Sequence, residues 1–151
     1  MFKLNIDGKL KSFFEINCEK LIKANKQYNI EILWLIMTSK ENDLQTQEFF
    51  RNNNYFGYPK NRIIFFTQNE IPVLDLNGKI LLEEKQKIKK AANGNGDVFE
   101  ALSKNNIINK LDNEDIEYIS FMGIDNILAN PIDYIFLGMM AYKKYQVASK
   151  S

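Results

Sequence analysis

The chain has 151 residues and a mass of 17.7 kDa, the size of one domain, and its 45% hydrophobic fraction is enough for a substantial core. Its net charge of +1 removes the usual electrostatic argument for a nucleic-acid-binding protein. The longest apolar stretch, residues 32–37, is far shorter than the roughly 20 residues that span a bilayer, and the N-terminus lacks a secretory signal. We expect a cytoplasmic protein with no nucleic-acid partner and no membrane partner.

The histidine and cysteine counts exclude several kinds of site. The sequence contains no histidine, so it cannot form a Ser-His-Asp triad, a Cys-His pair or a histidine metal site. Its single cysteine, Cys18, cannot form an internal disulfide. Any metal must therefore be bound by oxygen ligands, which favours Mg²⁺, Mn²⁺ or Ca²⁺.

Helical and strand-like patterns alternate along the chain. Ser12 followed three residues later by Glu15 is a capping box, which predicts the start of a helix. Continuous apolar runs are typical of strands buried on both faces, and Asn77-Gly78 between two such runs favours a type I′ hairpin turn. In chain order the patterns predict a helix over about 12–27, a buried strand over 30–37, a short helix that is capped by Asp43 and reaches Phe50, a buried strand over 62–66, a hairpin over 71–83, a helix that is capped by Asp97 and reaches Leu111, a buried strand over 116–124 and a helix opened by Pro131.

This alternation predicts βαβ units, and hence an α/β fold with a mostly parallel sheet covered on both faces. In such sheets, ligands bind beyond the carboxyl ends of the strands. The residues that follow the three predicted buried strands are therefore the first candidates for a site, namely 38–39, 67–69 and 125–126. No internal repeat or linker appears, so the sequence predicts one unit.

Asp125 directly follows the third predicted strand. A carboxylate at the carboxyl end of a strand is well placed to hold Mg²⁺ against a phosphate group. The alternative is that Asp125 caps a turn through residues 126–128.

The loop Gly94-Asn95-Gly96 precedes a predicted helix, and its two glycines would let a ligand approach the backbone closely. It matches neither common phosphate-loop pattern, and Asp97 would place negative charge where a phosphate should lie, so the loop suits a base, a ribose or a sugar. Gln68 ends the second predicted strand, and its terminal amide could read the edge of a base. The alternatives are a plain glycine turn and a surface glutamine.

Seven segments in order carry a resemblance to a known family. They are Trp34–Ser39, Thr46 with Phe49-Phe50, Asn54–Gly57, Phe65–Gln68 with Pro72, Gly78–Glu83, Asn93–Gly96 and Asp125–Leu128. Together they resemble the eukaryotic-type UDP-N-acetylhexosamine (UDP-N-acetylglucosamine) pyrophosphorylases, a branch of the UDP-sugar pyrophosphorylases, over nearly the whole chain. The resemblance implies a Rossmann-like, GT-A-like nucleotidyltransferase fold, a three-layer sandwich.

The same resemblance implies a uridylyltransferase that makes UDP-N-acetylglucosamine and pyrophosphate from UTP and N-acetylglucosamine 1-phosphate, with Mg²⁺ or Mn²⁺ as the metal. It implies that Gln68 reads uracil, that the backbone of Gly94 meets the uridine part and that Asn95 contacts the amino sugar. It also implies that Asp125 lies near the nucleotide and the metal. It implies no catalytic side chain in this chain, because the reaction depends on positioning and on charge stabilisation.

The sequence also departs from the family pattern. Ala92-Asn93 stand where the family more often has Pro-Asp, and Asp97 replaces a common third glycine, as in the broad-specificity UDP-sugar pyrophosphorylases. Family members are several hundred residues long and begin with a glycine-rich loop that holds the UTP phosphates. The resemblance therefore implies that residues 1–151 are the central part of an incomplete catalytic domain, without that loop and without the C-terminal segments.

We accordingly expect little or no turnover from the 151-residue chain alone. Two alternatives remain open at this stage: a non-catalytic remnant that binds uridine nucleotides, and a related pyrophosphorylase that acts on another sugar 1-phosphate, such as glucose 1-phosphate. Unpaired sheet edges would favour self-association, and the sequence leaves the oligomeric state open.

Overall fold

The computed structural model describes residues 3–150, which fall into two compact units. The central unit is Leu33–Glu117, and the terminal unit combines residues 3–32 with residues 118–150. The described helices are α1 (Phe13–Tyr28), α2 (Asp43–Asn52), α3 (Val98–Lys104), α4 (Ile107–Asn113) and α5 (Tyr134–Lys143). The described strands are β1 (Lys3–Ile6), β2 (Lys9–Ser12), β3 (Trp34–Thr38), β4 (Ile63–Thr67), β5 (Glu70–Pro72), β6 (Leu82–Glu84), β7 (Lys87–Ile88) and β8 (Lys90–Ala92).

The central unit is built on a parallel pair of strands. β3 and β4 pair in register from Trp34 opposite Ile63 to Thr38 opposite Thr67, and α2 lies between them in the chain. This is the predicted βαβ arrangement, and both strands are confirmed, although β3 begins four residues later than predicted. The remaining strands form antiparallel pairs, β1 with β2, β5 with β8 and β6 with β7.

Both faces of this strand pair are covered, because neighbouring side chains on β4 point to opposite sides. On one face Phe65 packs edge-on against Phe50 of α2, with ring centroids 5.0 Å apart, and Trp34 packs against the same ring at 5.5 Å. On the other face Phe66 packs with Leu102 of α3 and its neighbours in a second buried cluster. The three-layer arrangement therefore follows from the side-chain alternation of a single strand.

In the terminal unit, α1 begins and ends as its sequence predicts. The hydroxyl of Ser12 accepts a hydrogen bond from the backbone N–H of Glu15 at 3.1 Å, and Asn29 ends the helix in the left-handed conformation. The apolar face of the helix buries Cys18 and Leu21, and the helix predicted over about 12–27 is confirmed.

The predicted strand over 116–124 is wrong. No strand is formed there in the described residues, and Tyr118, Phe121 and Ile124 are between 39% and 51% exposed. An apolar run forms a strand only where a neighbouring strand satisfies its backbone N–H and C=O groups. β3 and β4 do this for one another, whereas none of the described strands pairs with residues 116–124.

Of the hairpin predicted over 71–83, the part over 73–81 is formed, whereas Ile71 pairs with β8 and Leu82 with β7, and the predicted turn type is wrong. Leu74 and Ile80 form a bridge, and the backbone N–H of Asp75 donates to the carbonyl of Lys79. Type I′ requires left-handed conformations at both Asn77 and Gly78, but only Gly78 has a positive φ, of 79°. The Asp75 carboxylate explains the difference, because it accepts from the backbone N–H groups of both Asn77 and Lys79 and so stabilises another turn.

Three helix starts also differ from prediction. Asp43 is the first residue of α2 rather than its cap, and its carboxylate accepts from the Thr38 hydroxyl at 2.6 Å. Asp97 precedes α3 without bonding to its first turn, because its carboxylate has other partners. The last helix begins at Tyr134, later than Pro131, because Asp133 caps it by accepting from the Phe136 N–H at 3.0 Å.

The single helix predicted from Asp97 to Leu111 is two helices. α3 ends at Lys104 and α4 begins at Ile107, with Asn106 between them at a φ of 57°. Asn105 stabilises the break, because its side-chain amide donates to the carbonyl of Ala101 at 2.8 Å. Across residues 3–150, no helix has the length and apolar character needed to cross a membrane.

Candidate functional site

The site is built on the carboxyl end of the parallel strand pair. The pairing continues one residue beyond the strands, because the N–H of Gln68 donates to the carbonyl of Thr38 at 2.8 Å. A cavity of about 490 Å³ opens at this edge. Polar side chains dominate its lining, and they include Gln68, Asn69, Asn93, Lys40, Lys90 and Lys104. Of the candidate residues at the strand ends, residues 67–69 line this cavity, which is of the size that holds a small ligand.

Gln68 and Gly94, 26 residues apart in the chain, are brought into direct contact. The backbone N–H of Gly94 donates to the Gln68 Oε1 at 2.7 Å. This contact fixes the orientation of the Gln68 amide, whose Nε2 carries two hydrogens that can be donated. Gly94 has a φ of 92° and a ψ of −177°, a conformation nearly restricted to glycine, so the residue type is set by the backbone.

Asp97 fixes the loop that carries Gly94. Its carboxylate accepts from the backbone N–H of Asn69 at 2.5 Å and from the Asn69 side-chain amide at 2.9 Å. It also accepts from the side-chain amide of Asn93 at 2.9 Å. These hydrogen bonds, first among them that of the Asn69 side chain, lower the pKa of the Asp97 carboxyl below its ordinary value of 3.8.

Asn95 lies on the same loop, in a short 3-10 turn over Asn95–Asp97. Its side chain is exposed, whereas Gln68 and Gly94 are partly buried. The turn is closed by the Asp97 N–H, which donates to the carbonyl of Gly94 at 3.1 Å. The structure thus places Asn95 next to the Gln68–Gly94 contact, with an amide that is open to solvent.

Asp125 belongs to the terminal unit and is exposed. Its backbone takes part in a turn, since the N–H of Ile127 donates to the carbonyl of Asp125 at 3.0 Å. Its carboxylate lies against Gly123, where a Cβ atom would come within 2.7 Å of the Asp125 Oδ1. The structure therefore brings Gln68, Gly94 and Asn95 together in the central unit and places Asp125 in the other unit.

The donors available for a metal are few. Among residues 3–150, no group of three or more Asp, Glu or Cys side chains is arranged to hold an ion. Asp125 offers one accessible carboxylate. This fits Mg²⁺, which is commonly bound through one or two carboxylates together with the phosphates of a substrate.

Sequence reasoning missed the lysines of the cavity. Lys90 is exposed and lines the cavity together with Lys40 and Lys104. Lys40 pairs with Glu70 at 2.7 Å, and Lys104 pairs with Glu100 at 2.7 Å. The position of Lys40, just after the end of β3, was the one signal in the sequence that could have identified it.

Comparisons with known proteins show the family and the fold of the chain. The sequence model of the family described as UTP--glucose-1-phosphate uridylyltransferase matches residues 4–150. The chain is 33% identical over 145 residues to the UDP-N-acetylglucosamine pyrophosphorylase of Saccharomyces cerevisiae, and 31% identical over 151 residues to the UDP-N-acetylglucosamine diphosphorylase 2 of Arabidopsis thaliana. Each alignment covers 93% of this chain.

The crystal structure of the uridine diphosphate N-acetylglucosamine pyrophosphorylase from Trypanosoma brucei matches 95% of this chain with a TM-score of 0.81 and 32% identity. The predicted α/β nucleotidyltransferase fold is therefore confirmed. The chain spans 30% of the length of the yeast and plant relatives and 31% of the trypanosome chain.

Proposed function

The chain belongs to the UTP--glucose-1-phosphate uridylyltransferase family, and from that membership we propose that it provides the uridine-binding part of an enzyme that makes UDP-N-acetylglucosamine. The proposed reaction joins UTP and N-acetylglucosamine 1-phosphate and releases pyrophosphate. The observation that carries the proposal is the Gln68–Gly94 contact at the carboxyl end of β4. The names of the yeast, plant and trypanosome relatives support the choice of the amino sugar.

Gln68 is the base-reading residue in this proposal. Its Oε1 is occupied by the Gly94 N–H, so Nε2 is the part of the amide that faces a ligand. Uracil presents a carbonyl at both positions flanking N3, and each accepts a hydrogen bond. Cytosine has an amino group at C4, where uracil has a carbonyl. That amino group is a donor and would face the Nε2 donor of Gln68 without forming a hydrogen bond. Gly94 has no side chain, so the base can approach the loop closely.

The chemistry needs positioning more than covalent catalysis. An oxygen of the sugar phosphate attacks the α-phosphorus of UTP. A bond forms between the sugar-phosphate oxygen and the α-phosphorus. The bond from the α-phosphorus to the oxygen that bridges it to the β-phosphorus breaks, and the β- and γ-phosphates leave as pyrophosphate. Lys40, Lys90 and Lys104 give the cavity positive charge, part of which Glu70 and Glu100 neutralise. That charge attracts anionic substrates and raises their local concentration.

Asn95 and Asp125 complete the proposed set. The exposed amide of Asn95, next to Gly94, is assigned to the amino sugar, whose hydroxyl and amide groups need both a donor and an acceptor. Asp125 is assigned to Mg²⁺, which Mn²⁺ can replace. The metal neutralises charge on the phosphates when bound. The enzyme is proposed to work in the cytoplasm.

Two variants of Gln68 separate base reading from loop stability. In Gln68→Glu, a carboxylate oxygen still accepts from the Gly94 N–H, but the Nε2 donor is lost. We expect Gln68→Glu and Gln68→Ala to bind UMP roughly tenfold more weakly than the unchanged chain in isothermal titration calorimetry, in line with the loss of a specific hydrogen bond. Gln45→Ala, at an exposed position on α2, is the matched control and should bind normally.

The base-reading role would be contradicted if Gln68→Glu bound UMP as tightly as the unchanged chain. The reaction itself is tested in the polypeptide purified from the cells that make it. Pyrophosphate release is followed with UTP, Mg²⁺ and either N-acetylglucosamine 1-phosphate or glucose 1-phosphate. Faster release with the amino sugar supports the proposed substrate, and faster release with glucose 1-phosphate assigns the protein to the related enzymes. If the polypeptide binds uridine nucleotides but releases no pyrophosphate, it is a uridine-nucleotide-binding protein without catalytic activity.

A further inference from the structure

Asp97 is a buried carboxylate in a loop that faces a polar cavity. Its side chain is 4% exposed, although both neighbours on its N-terminal side, Asn95 and Gly96, are exposed. A buried carboxylate needs hydrogen bonds to offset the loss of solvation. Asp97 obtains them from one backbone N–H and two side-chain amides, and it makes no capping bond to α3. This full set of partners goes beyond what a helix start requires.

The partners of Asp97 stand beside the two residues of the proposed base site. Asn69 follows Gln68 in the chain, and Asn93 precedes Gly94. Asn69 and Asn93 are also joined directly, since the backbone N–H of Asn93 donates to the carbonyl of Asn69 at 3.0 Å. The carboxylate therefore clamps the end of β4 to the start of the glycine loop.

We propose that Asp97 is a positioning residue for base recognition, which holds Gly94 against Gln68 so that the amide keeps one orientation, with its Oε1 on Gly94 and its Nε2 donors available to a base. This inference rests on the proposed function. Asp97 does not touch the base. It acts through Asn69 and Asn93, whose positions fix the distance between Gly94 N–H and the Gln68 Oε1.

Lys104 supports the same arrangement. Its ammonium donates to the Asn69 Oδ1 at 3.0 Å, which turns the Nδ2 of that amide towards Asp97. The hydrogen bonds to Asp97 also lower the pKa of its carboxyl, so the group is charged at neutral pH. Hydrogen bonds to a charged acceptor are about twice as strong as neutral ones. The loop is thus held by the strongest kind of hydrogen bond that its residues can make.

The clamp has a consequence for specificity. A glutamine amide that is free to rotate can offer either its donor or its acceptor, and can therefore bind the amino group of cytosine as readily as a carbonyl of uracil. A glutamine whose Oε1 is held by the Gly94 N–H keeps one orientation, in which Oε1 stays on the loop and Nε2, with its two donors, lies on the other side of the amide. Asp97 is thereby expected to set the preference for uracil over cytosine, and not only the overall affinity.

The test compares UMP and CMP binding in a series of variants by calorimetry. In Asp97→Asn the new amide places donors against the amides of Asn69 and Asn93, so the clamp is broken. We expect the ratio of UMP to CMP affinity to fall by about tenfold, because the hydrogen bonds lost are those of a charged acceptor. The double variant Asn93→Asp/Asp97→Asn restores a carboxylate–amide pair and should recover most of the ratio. Asp75→Asn, the same change in the hairpin turn, should leave the ratio unaltered.

Amide hydrogen exchange at Gly94 in the ligand-free chain is the second measurement. We expect Asp97→Asn to speed exchange at Gly94 and to leave the amides of β3 and β4 unchanged, so that loss of folding is distinguished from loss of the clamp. An unchanged chain that binds UMP no better than CMP would contradict the proposed function. A different outcome would contradict only the role of Asp97 and leave the proposed function standing. In that outcome the unchanged chain prefers UMP, and Asp97→Asn keeps both this preference and slow exchange at Gly94.

Discussion

The central unit and residues 118–150 of the terminal unit are both rich in apolar side chains, yet they bury them to very different extents. In the central unit Phe50 is fully buried and Phe66 is 5% exposed. In residues 118–150, Leu128 is 91% exposed and Tyr142 is 83% exposed. None of the side chains of α5 is buried, although that helix is strongly apolar. Apolar composition alone therefore does not decide which side chains are buried.

The two regions differ in what lies next to each apolar run. β3 and β4 satisfy each other's backbone groups, and α2, α3 and α4 cover their two faces. No described strand pairs with residues 116–124, and Tyr118, Phe121 and Ile124 are each at least 39% exposed. The polar residues of the site follow the same division, because Gln68 and Asp97 are tied into the packed unit, whereas Asp125 is exposed.

The largest effect is expected from a matched pair of phenylalanines. Phe50→Ala removes a ring that packs against Trp34, Phe56 and Phe65, and should lower the free energy of unfolding by about 3–5 kcal/mol. Phe121 lies in residues 118–150 and is 51% exposed, so Phe121→Ala should lower the free energy of unfolding by less than about 1 kcal/mol. Urea unfolding followed by circular dichroism measures both. Similar losses in the two variants would refute the contrast between the regions.

A second pair compares the same substitution at two glycines. Gly94→Ala forces a side chain into a left-handed conformation, which should cost about 1–3 kcal/mol of stability, although its Cβ would meet open space. Gly123→Ala brings a Cβ within 2.7 Å of the Asp125 Oδ1, but that carboxylate is exposed and can rotate away. We expect Gly123→Ala to change the free energy of unfolding by no more than about 0.5 kcal/mol, as is usual for surface substitutions. The same unfolding assay compares them, and a larger loss in Gly123→Ala would show that Asp125 is held rigidly.

The pH dependence of α5 tests whether local contacts stabilise that helix. Hydrogen bonds from Lys150 and then from the Phe136 N–H lower the pKa of the Asp133 carboxyl below its ordinary 3.8. A lowered carboxyl pKa stabilises the folded form above the ordinary pKa, and this contribution is lost as the pH falls through the lowered value. The protection factors of the α5 amides, which correct for the intrinsic pH dependence of exchange, should therefore fall below about pH 4, whereas Asp133→Asn should show little of this dependence. Equal pH dependence in both proteins would contradict the assignment.

The smallest effect is expected at Asp125. Because its carboxylate is exposed, Asp125→Asn should change the free energy of unfolding by no more than about 0.5 kcal/mol. UMP affinity without metal should also be unchanged, whereas the additional affinity that Mg²⁺ gives to UDP-N-acetylglucosamine should be lost. Calorimetry with and without Mg²⁺ makes the comparison. An Mg²⁺ effect that survives in Asp125→Asn would assign the metal to other residues.

Local signals in the sequence predicted much of the fold. The Ser12 capping box marked the start of α1, because the cap depends on residues three positions apart in the chain. The apolar runs marked β3 and β4, because each run pairs with another apolar strand. The predicted strand over 116–124 failed because no described strand pairs with it, and the failures at Asp43 and Asp97 have a different cause. A side chain that can cap a helix can also bond to a strand or a loop distant in sequence, and the sequence alone does not reveal which partner it meets.

The candidate site was predicted in the same uneven way. The placement of Gln68 and Gly94 followed from strand ends and a glycine loop, and their direct hydrogen bond is consistent with that reading. Their roles toward uridine remain predictions. The anchoring by Asp97 could not be foreseen, because it depends on Asn69, 28 residues earlier in the chain.

The most direct test of the account is an NMR titration of the isotopically labelled chain with UMP and, separately, with CMP. If Gln68 and Gly94 bind uracil in preference to cytosine, we expect UMP to shift the side-chain amide signals of Gln68 and the backbone amide signal of Gly94. CMP at the same concentration should leave both signals close to their free positions. Equal shifts with the two nucleotides, or UMP-induced shifts confined to residues away from Gln68 and Gly94, would contradict it.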